Sequence, residues 1–199
     1  CIIWYNNSNK YYNCINFNYI RLSIFIFINI DSNINLLGGK SMLDEYMKTQ
    51  NIVYKILVNA IKKNKYSHAY LFENNDLDDG FNMALAFAKA LQCPNNYTNN
   101  LKCVNCTQCN KIDKNIFTDL KIINPDGMWI KKEQLDSLQK EFSTKSIETG
   151  KKIYIINNAE LLNVQASNSI LKFLEEPEEN IIAILVTKNI YQLLPTIIS

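Results

Sequence analysis

The chain has 199 residues, 47% of them hydrophobic, which is enough for one sizeable core with a small appended module. Its 21 basic and 19 acidic residues leave a net charge of +2, a field too weak to recruit nucleic acid or an anionic membrane by electrostatics alone. The longest apolar run near the start, Ile24 to Ile28, is far short of the roughly 20 residues that span a bilayer and has neither basic leader nor small-residue cleavage site, so the expectation is a cytoplasmic protein with no membrane partner.

Residues 1 to 41 differ in composition from everything after them. They are dominated by Ile, Asn, Tyr and Phe, hold one acid, Asp31, and show no sustained period. These residue types have AT-rich codons, and Gly38-Gly39 before Met42 would fit a ribosome-binding sequence read through in frame. The segment is therefore read as a non-native, disordered upstream extension, and the flanking DNA sequence decides that. Gly39-Lys40-Ser41 ends like a phosphate loop, but the first glycine of that motif would fall at Ile34, whose side chain blocks the tight turn.

From Met42 the pattern becomes regular. Ile52, Val53, Ile56, Leu57, Ala60 and Ile61 recur at helical spacing, with Lys62, Lys63 and Lys65 complementing the negative helix end. Ala69 to Phe72 reads as a buried strand, and Phe81 to Leu91 as a helix in which Ala84, Ala86, Ala88 and Ala90 allow close packing. The strands continue with Leu120 to Ile123, closed by the turn residues Asn124-Pro125-Asp126-Gly127, then Ile153 to Ile156 and Ile181 to Val186. Between them, Ile130, Leu135, Leu138 and Phe142 share one helical face, and Val164 to Leu174 forms a helix halted by Pro177. Apolar strands alternating with helices imply parallel pairing with helical crossovers. The fold class is α/β, an open wound sheet over residues 42–199.

Cys93, Cys103, Cys106 and Cys109 interrupt this alternation with the spacing C-x9-C-x2-C-x2-C. Four thiolates fit the tetrahedral preference of zinc, and the x2 spacings let neighbouring sulfurs converge on one ion. A full set of four leaves no open position, so the expected zinc is structural and the module spans about residues 93–112. Lys102 and Lys111 partly offset its charge. Two disulfides, unconnected thiols and an iron–sulfur cluster are the alternatives. His68, beside the first strand without a carboxylate near it in sequence, reads as structural.

Several strings occur together in one order: S-H-A-Y-L-F at 67 to 72, A-x-x-F-A-K-A-L-x-C ending at Cys93, the cysteine module, and I-N-P-D-G-x-x-I-K-K at 123 to 132. K-K-I-Y-I-I at 151 to 156, A-S-N-S-I-L-K-F-L-E-E-P at 166 to 177 and L-L-P-T-I-I-S at 193 to 199 complete it. This set resembles the delta-prime subunits of the bacterial DNA polymerase III clamp loader, AAA+ proteins, and the match covers Met42 to Ser199. The resemblance implies a RecA-like AAA+ domain with a zinc module after its first helix. It also implies a lid and a collar domain not included in these 199 residues, and an S-R-C motif that Ser199 would begin.

Laid on that frame, Leu77 and Asp79 stand where a phosphate loop has glycines and Gly80 where it has lysine, with Asn74 at the end of the preceding strand. Asp76, Asp78 and Asp79 add negative charge where phosphate would sit, and the Walker B acids are replaced by Asn157 and Asn158. ATP is therefore not expected as a cofactor and no catalysis of its own is expected. Thr187 matches the sensor 1 position and, with no phosphate to sense, reads as structural; Glu160 reads as an ordinary acid at a helix start in preference to a remnant of the Walker B acids. Resemblance places Lys172, Glu175, Glu176 and Ser199 near inter-subunit surfaces. Acids at Glu175 and Glu176 crowd the helix end that disfavours them, at a local cost of a few tenths to about 1 kcal/mol. The implied function is that of a non-hydrolysing wedge in a DNA polymerase III holoenzyme. Its implied partners are the delta and gamma/tau subunits and, indirectly, the sliding clamp and primed DNA. The alternatives are an ATP-binding gamma/tau-type subunit and a zinc-stabilised nucleic-acid-binding module, the latter disfavoured by the charge.

Overall fold

A computed structural model describes residues 42–74, 77–94, 106–142, 150–193 and 197, together with one strand, Phe25–Asn29. That strand, β1, lies in the segment for which no element was expected. In chain order there follow α1 (Asn51–Lys62), β2 (Ala69–Glu73), α2 (Leu77–Gln92), α3 (Thr107–Asp113) and β3 (Leu120–Ile123). The remainder is α4 (Lys132–Phe142), β4 (Lys152–Ile156), α5 (Val164–Glu175) and β5 (Ile181–Thr187). All five strands are parallel, in the order β1-β2-β5-β4-β3.

The apolar runs read as strands are continuous because both faces of the sheet are covered. Along each strand alternate side chains enter different cores, as the two-residue period requires. Tyr70, Phe72, Ile153, Ile155, Ile182, Ile184 and Val186 join Leu57 of α1 and Met83, Phe87 and Ala90 of α2. Leu71, Tyr154, Ile156, Ala183 and Leu185 join Leu135 and Leu138 of α4 and Ala166, Ile170 and Leu174 of α5. The result is a three-layer α/β domain with the sheet in the middle.

Two differences from the sequence reading have local causes. Helix α2 starts at Leu77, four residues ahead of the expected Phe81, because Asp78-Asp79-Gly80 has loop-like chemistry yet forms the first helical turn. Helix α3, inside the cysteine module, was not foreseen. It begins at Cys106, whose sulfur accepts the Cys109 N–H at 3.3 Å, and it docks by burying Ile112 in the core beneath α1 and α2.

Helix ends are tied by single side chains. Asn163 caps α5 by accepting the Ala166 N–H at 2.8 Å. Lys152, buried at the head of β4, donates to the Glu141 and Phe142 carbonyls at 3.1 and 3.2 Å, closing the C-terminus of α4. His68, immediately before β2, does the same for α5, its imidazole bonding the Leu174 carbonyl while its buried Nε2 meets no partner. Burial holds the His68 pKa below its usual 6.5, outweighing the opposite pull of the Leu174 bond. The folded chain therefore refuses a proton that the unfolded chain accepts. Stability is full above pH 6.5 and declines as the pH falls below it, at no more than about 1.4 kcal/mol per pH unit. Urea unfolding at pH 7.5 and 5.5 is expected to show this decline in the wild type and a smaller one in His68→Gln.

Candidate functional site

The cysteine module is built by two helix ends meeting. Helix α2 delivers Cys93 from its C-terminus, where the Cys93 N–H still bonds the Lys89 carbonyl at 2.9 Å. Helix α3 delivers Cys106 from its N-cap and Cys109 from its first turn, which is what the C-x2-C spacing accomplishes. The three Sγ atoms lie within 4.8 Å of one another, and Cys93 and Cys106 are 3.6 Å apart. Sulfurs on one zinc, each about 2.3 Å from it in a tetrahedron, would be about 3.8 Å apart. The spacing fits such an ion and exceeds the roughly 2.05 Å of a disulfide; none of the three is in a disulfide, and all are buried. Cys103, the fourth candidate, lies outside the described residues, as do Lys102, Cys1 and Cys14.

The second candidate site lies at the carboxyl ends of the strands, where wound α/β sheets bind ligands. Asn74 leaves β2 fully buried and donates its N–H to the Thr187 carbonyl at the end of β5, at 3.0 Å. Asp79, in the first turn of α2, is buried too, an acid at the positive end of a helix. Gly80 is pressed against the sheet: a Cβ there would lie 3.1 Å from Val186 Cγ1 and 3.3 Å from Asn74 Cβ. The Leu77 and Asp78 side chains and all of Asp76 lie outside the described residues. Beyond β4, Asn157 donates from Nδ2 to Asn124 Oδ1 at 3.2 Å, tying the ends of β4 and β3, and its Oδ1 is buried without a partner. Asn158 takes a left-handed conformation, φ 56°, to turn the chain.

Sequence reasoning missed how the two remaining groups of this edge are used. Thr187, fully buried, donates to Glu160 Oε2 at 2.8 Å, so Glu160 is more than a helix-start acid. Glu73 Oε1 accepts the Ile190 N–H at 3.0 Å. Glu160 ties the turn after β4 to the end of β5, and Glu73 ties the chain leaving β5 back to β2. Partners 27 and 117 residues apart leave no trace in local spacing.

The interface candidates Lys172, Glu175 and Glu176 are all exposed at the C-terminal end of α5, and Ser199 lies outside the described residues. A further exposed feature was not singled out beforehand. The loop after β3 turns through Gly127, φ +70°, and is pinned by Asp126 N–H to the Trp129 carbonyl and Ile130 N–H to the Leu161 carbonyl, at 3.0 and 2.8 Å. On this braced loop Met128 and Trp129 are 76% and 50% exposed, and Val164 at the start of α5 is 63% exposed. Among the described residues no helix is long and apolar enough to cross a membrane.

A family profile described as "DNA polymerase III, delta subunit" matches residues 49–199. The DNA polymerase III subunit delta' of Bacillus subtilis (strain 168) is 41% identical over 155 residues, which cover 78% of this chain and 46% of that one. The DNA polymerase III subunit tau of the same organism is 34% identical over 150 residues, covering 75% of this chain and 26% of its own. A solved DNA polymerase III gamma subunit-related protein of Thermotoga maritima superposes with a TM-score of 0.54 at 22% identity, covering 71% of this chain and 42% of that one. The match thus spans less than half the length of these curated relatives.

Proposed function

The chain belongs to the DNA polymerase III delta-subunit family, and from that premise we propose that it serves as a delta-prime-like, non-hydrolysing subunit of a cytoplasmic clamp loader. It would assemble with delta and gamma/tau subunits and act through them on the sliding clamp and primed DNA. It would perform no catalysis of its own within the DNA polymerase holoenzyme. The observation that carries this reading is the filled corner at the strand ends. Gly80, which the resemblance sets at the position of the phosphate-loop lysine, leaves little room for a side chain, since a Cβ there would lie 3.1 Å from Val186 and 3.3 Å from Asn74, and Asp79 adds a buried acid one residue before it. A triphosphate needs open backbone N–H groups and a lysine there.

A structural zinc held by Cys93, Cys103, Cys106 and Cys109 belongs to the same proposal. Bound, it would supply cross-linking charge and no reactive position. The chain's own residues orient the set: the Cys106 cap, whose Sγ accepts the Cys109 N–H, fixes the start of α3.

Non-catalytic subunits act through surfaces. The braced Met128–Trp129 loop and the acidic end of α5 support the reading, since rigid exposed aromatics are common interface anchors. Glu175→Lys with Glu176→Lys is expected to reduce co-purification with gamma/tau and delta subunits several-fold while leaving the unfolding free energy within about 0.5 kcal/mol of wild type. Undiminished co-purification would remove the end of α5 from the proposed interface.

A further inference from the structure

Lys89 is the anomaly of α2. It sits among Phe87, Ala88 and Ala90 with its side chain only 2% exposed, and its Nζ pairs with Asp113 Oδ1 of α3. A buried ammonium is expensive unless it is paired, and an apolar pair of similar volume would hold two helices together as well or better. The placement of the pair supplies what an apolar contact would lack.

Lys89 precedes Cys93 by four residues, and the Cys93 N–H bonds the Lys89 carbonyl, so the two side chains lie one helical turn apart on one face. Asp113 follows Cys109 by the same four residues on α3. Each helix therefore carries, at equal spacing, one metal-ligating thiol and one partner of the ion pair. Closing the Lys89–Asp113 contact sets the axial register of α2 against α3. A rung one turn away, Cys93 against Cys109, is then in register too. Ile112 alone, an apolar contact, would permit sliding.

We propose that the Lys89–Asp113 ion pair is a positioning element of the metal centre, a second rung that aligns Cys93 with Cys106 and Cys109 before the ion binds. The inference rests on the zinc reading above. Neither residue is a ligand. Each acts through the helix that carries its cysteine.

The test is zinc affinity, measured on the full chain by competition with a chromophoric chelator. Lys89→Met is expected to weaken zinc about 10- to 100-fold, the usual range for groups that orient ligands, and Lys89→Arg, which keeps the cation, is expected to stay near wild type. Asp113→Leu should weaken zinc in the same direction. The charge-free double variant K89M/D113L separates positioning from bulk stability. It leaves no unpaired buried charge, so its unfolding midpoint should recover while its zinc affinity stays low. It also carries the test if a single variant does not fold. Wild-type zinc affinity in K89M, or affinity that recovers together with stability in the double variant, overturns the inference. A wild-type chain that takes up no zinc overturns the metal reading and this inference with it, and that failure is visible before any substitution.

Discussion

Stripping zinc from the loaded protein is expected to lower its stability by about 4 kcal/mol when the metal had been present at a thousand times its dissociation constant, because an ion held only by the folded chain stabilises it by mass action. For a chain of this size that amounts to roughly 8–16 °C in Tm. The loss should be local first. The three described sulfurs form a cluster of their own, separate from the two cores against the sheet, so α3 should lose its amide protection ahead of β2, β4 and β5. Cys106→Ser isolates the cause. Serine is among the best N-caps, so the variant keeps the start of α3 while removing one ligand, and it is expected to melt like the chelated wild type whether or not zinc is added. Calorimetry with and without chelator decides the matter, and identical wild-type scans would contradict the zinc assignment.

Placing a lysine at Gly80, the position the resemblance gives to the phosphate-loop lysine, should not create a nucleotide site. In Gly80→Lys the first carbon of the new side chain meets Val186 and Asn74 at 3.1 and 3.3 Å, both buried, so these neighbours must give by a few tenths of an ångström. Such overpacking costs about 1–3 kcal/mol, against a gain of about 1 kcal/mol from replacing a helical glycine. The expected net result is a loss of up to about 2 kcal/mol in urea unfolding with no ATP–magnesium binding detectable by calorimetry. A G80K chain that is as stable as wild type and takes up ATP would show that the corner is a single substitution away from a working gamma/tau-type site.

The inner strands were legible because burial on both faces forces uninterrupted apolar runs, as in Ile153–Ile156 and Ile181–Thr187, set off by helical periodicity on either side. The grouping of Cys93, Cys106 and Cys109 was legible because x2 spacing has few other uses. What escaped reading depends on distant partners. Strand β1 exists through its pairing with β2, 44 positions on, from Phe25↔Ala69, and its surroundings mask it with similar residues. Seven-residue α3 owes its helix to the Cys106 cap and to docking by Ile112. Lys89 reads locally as an ordinary solvated cation, and only the fold brings Asp113 to it. Thr187 and Glu160 likewise find each other through the adjacency of β4 and β5. Trp129 carried no periodic signal, being exposed on a turn.

Strand β1 also bears on how the chain behaves among its own copies. Without it, β2 would form the sheet's margin, offering the backbone groups that now meet Phe25 to Asn29, and unprotected margins of this kind invite pairing between molecules. The five residues of β1 thus hem β2: in a version of the protein begun at Met42 the margin would pass to β2, and the backbone groups that β1 now takes up would lie open to another chain.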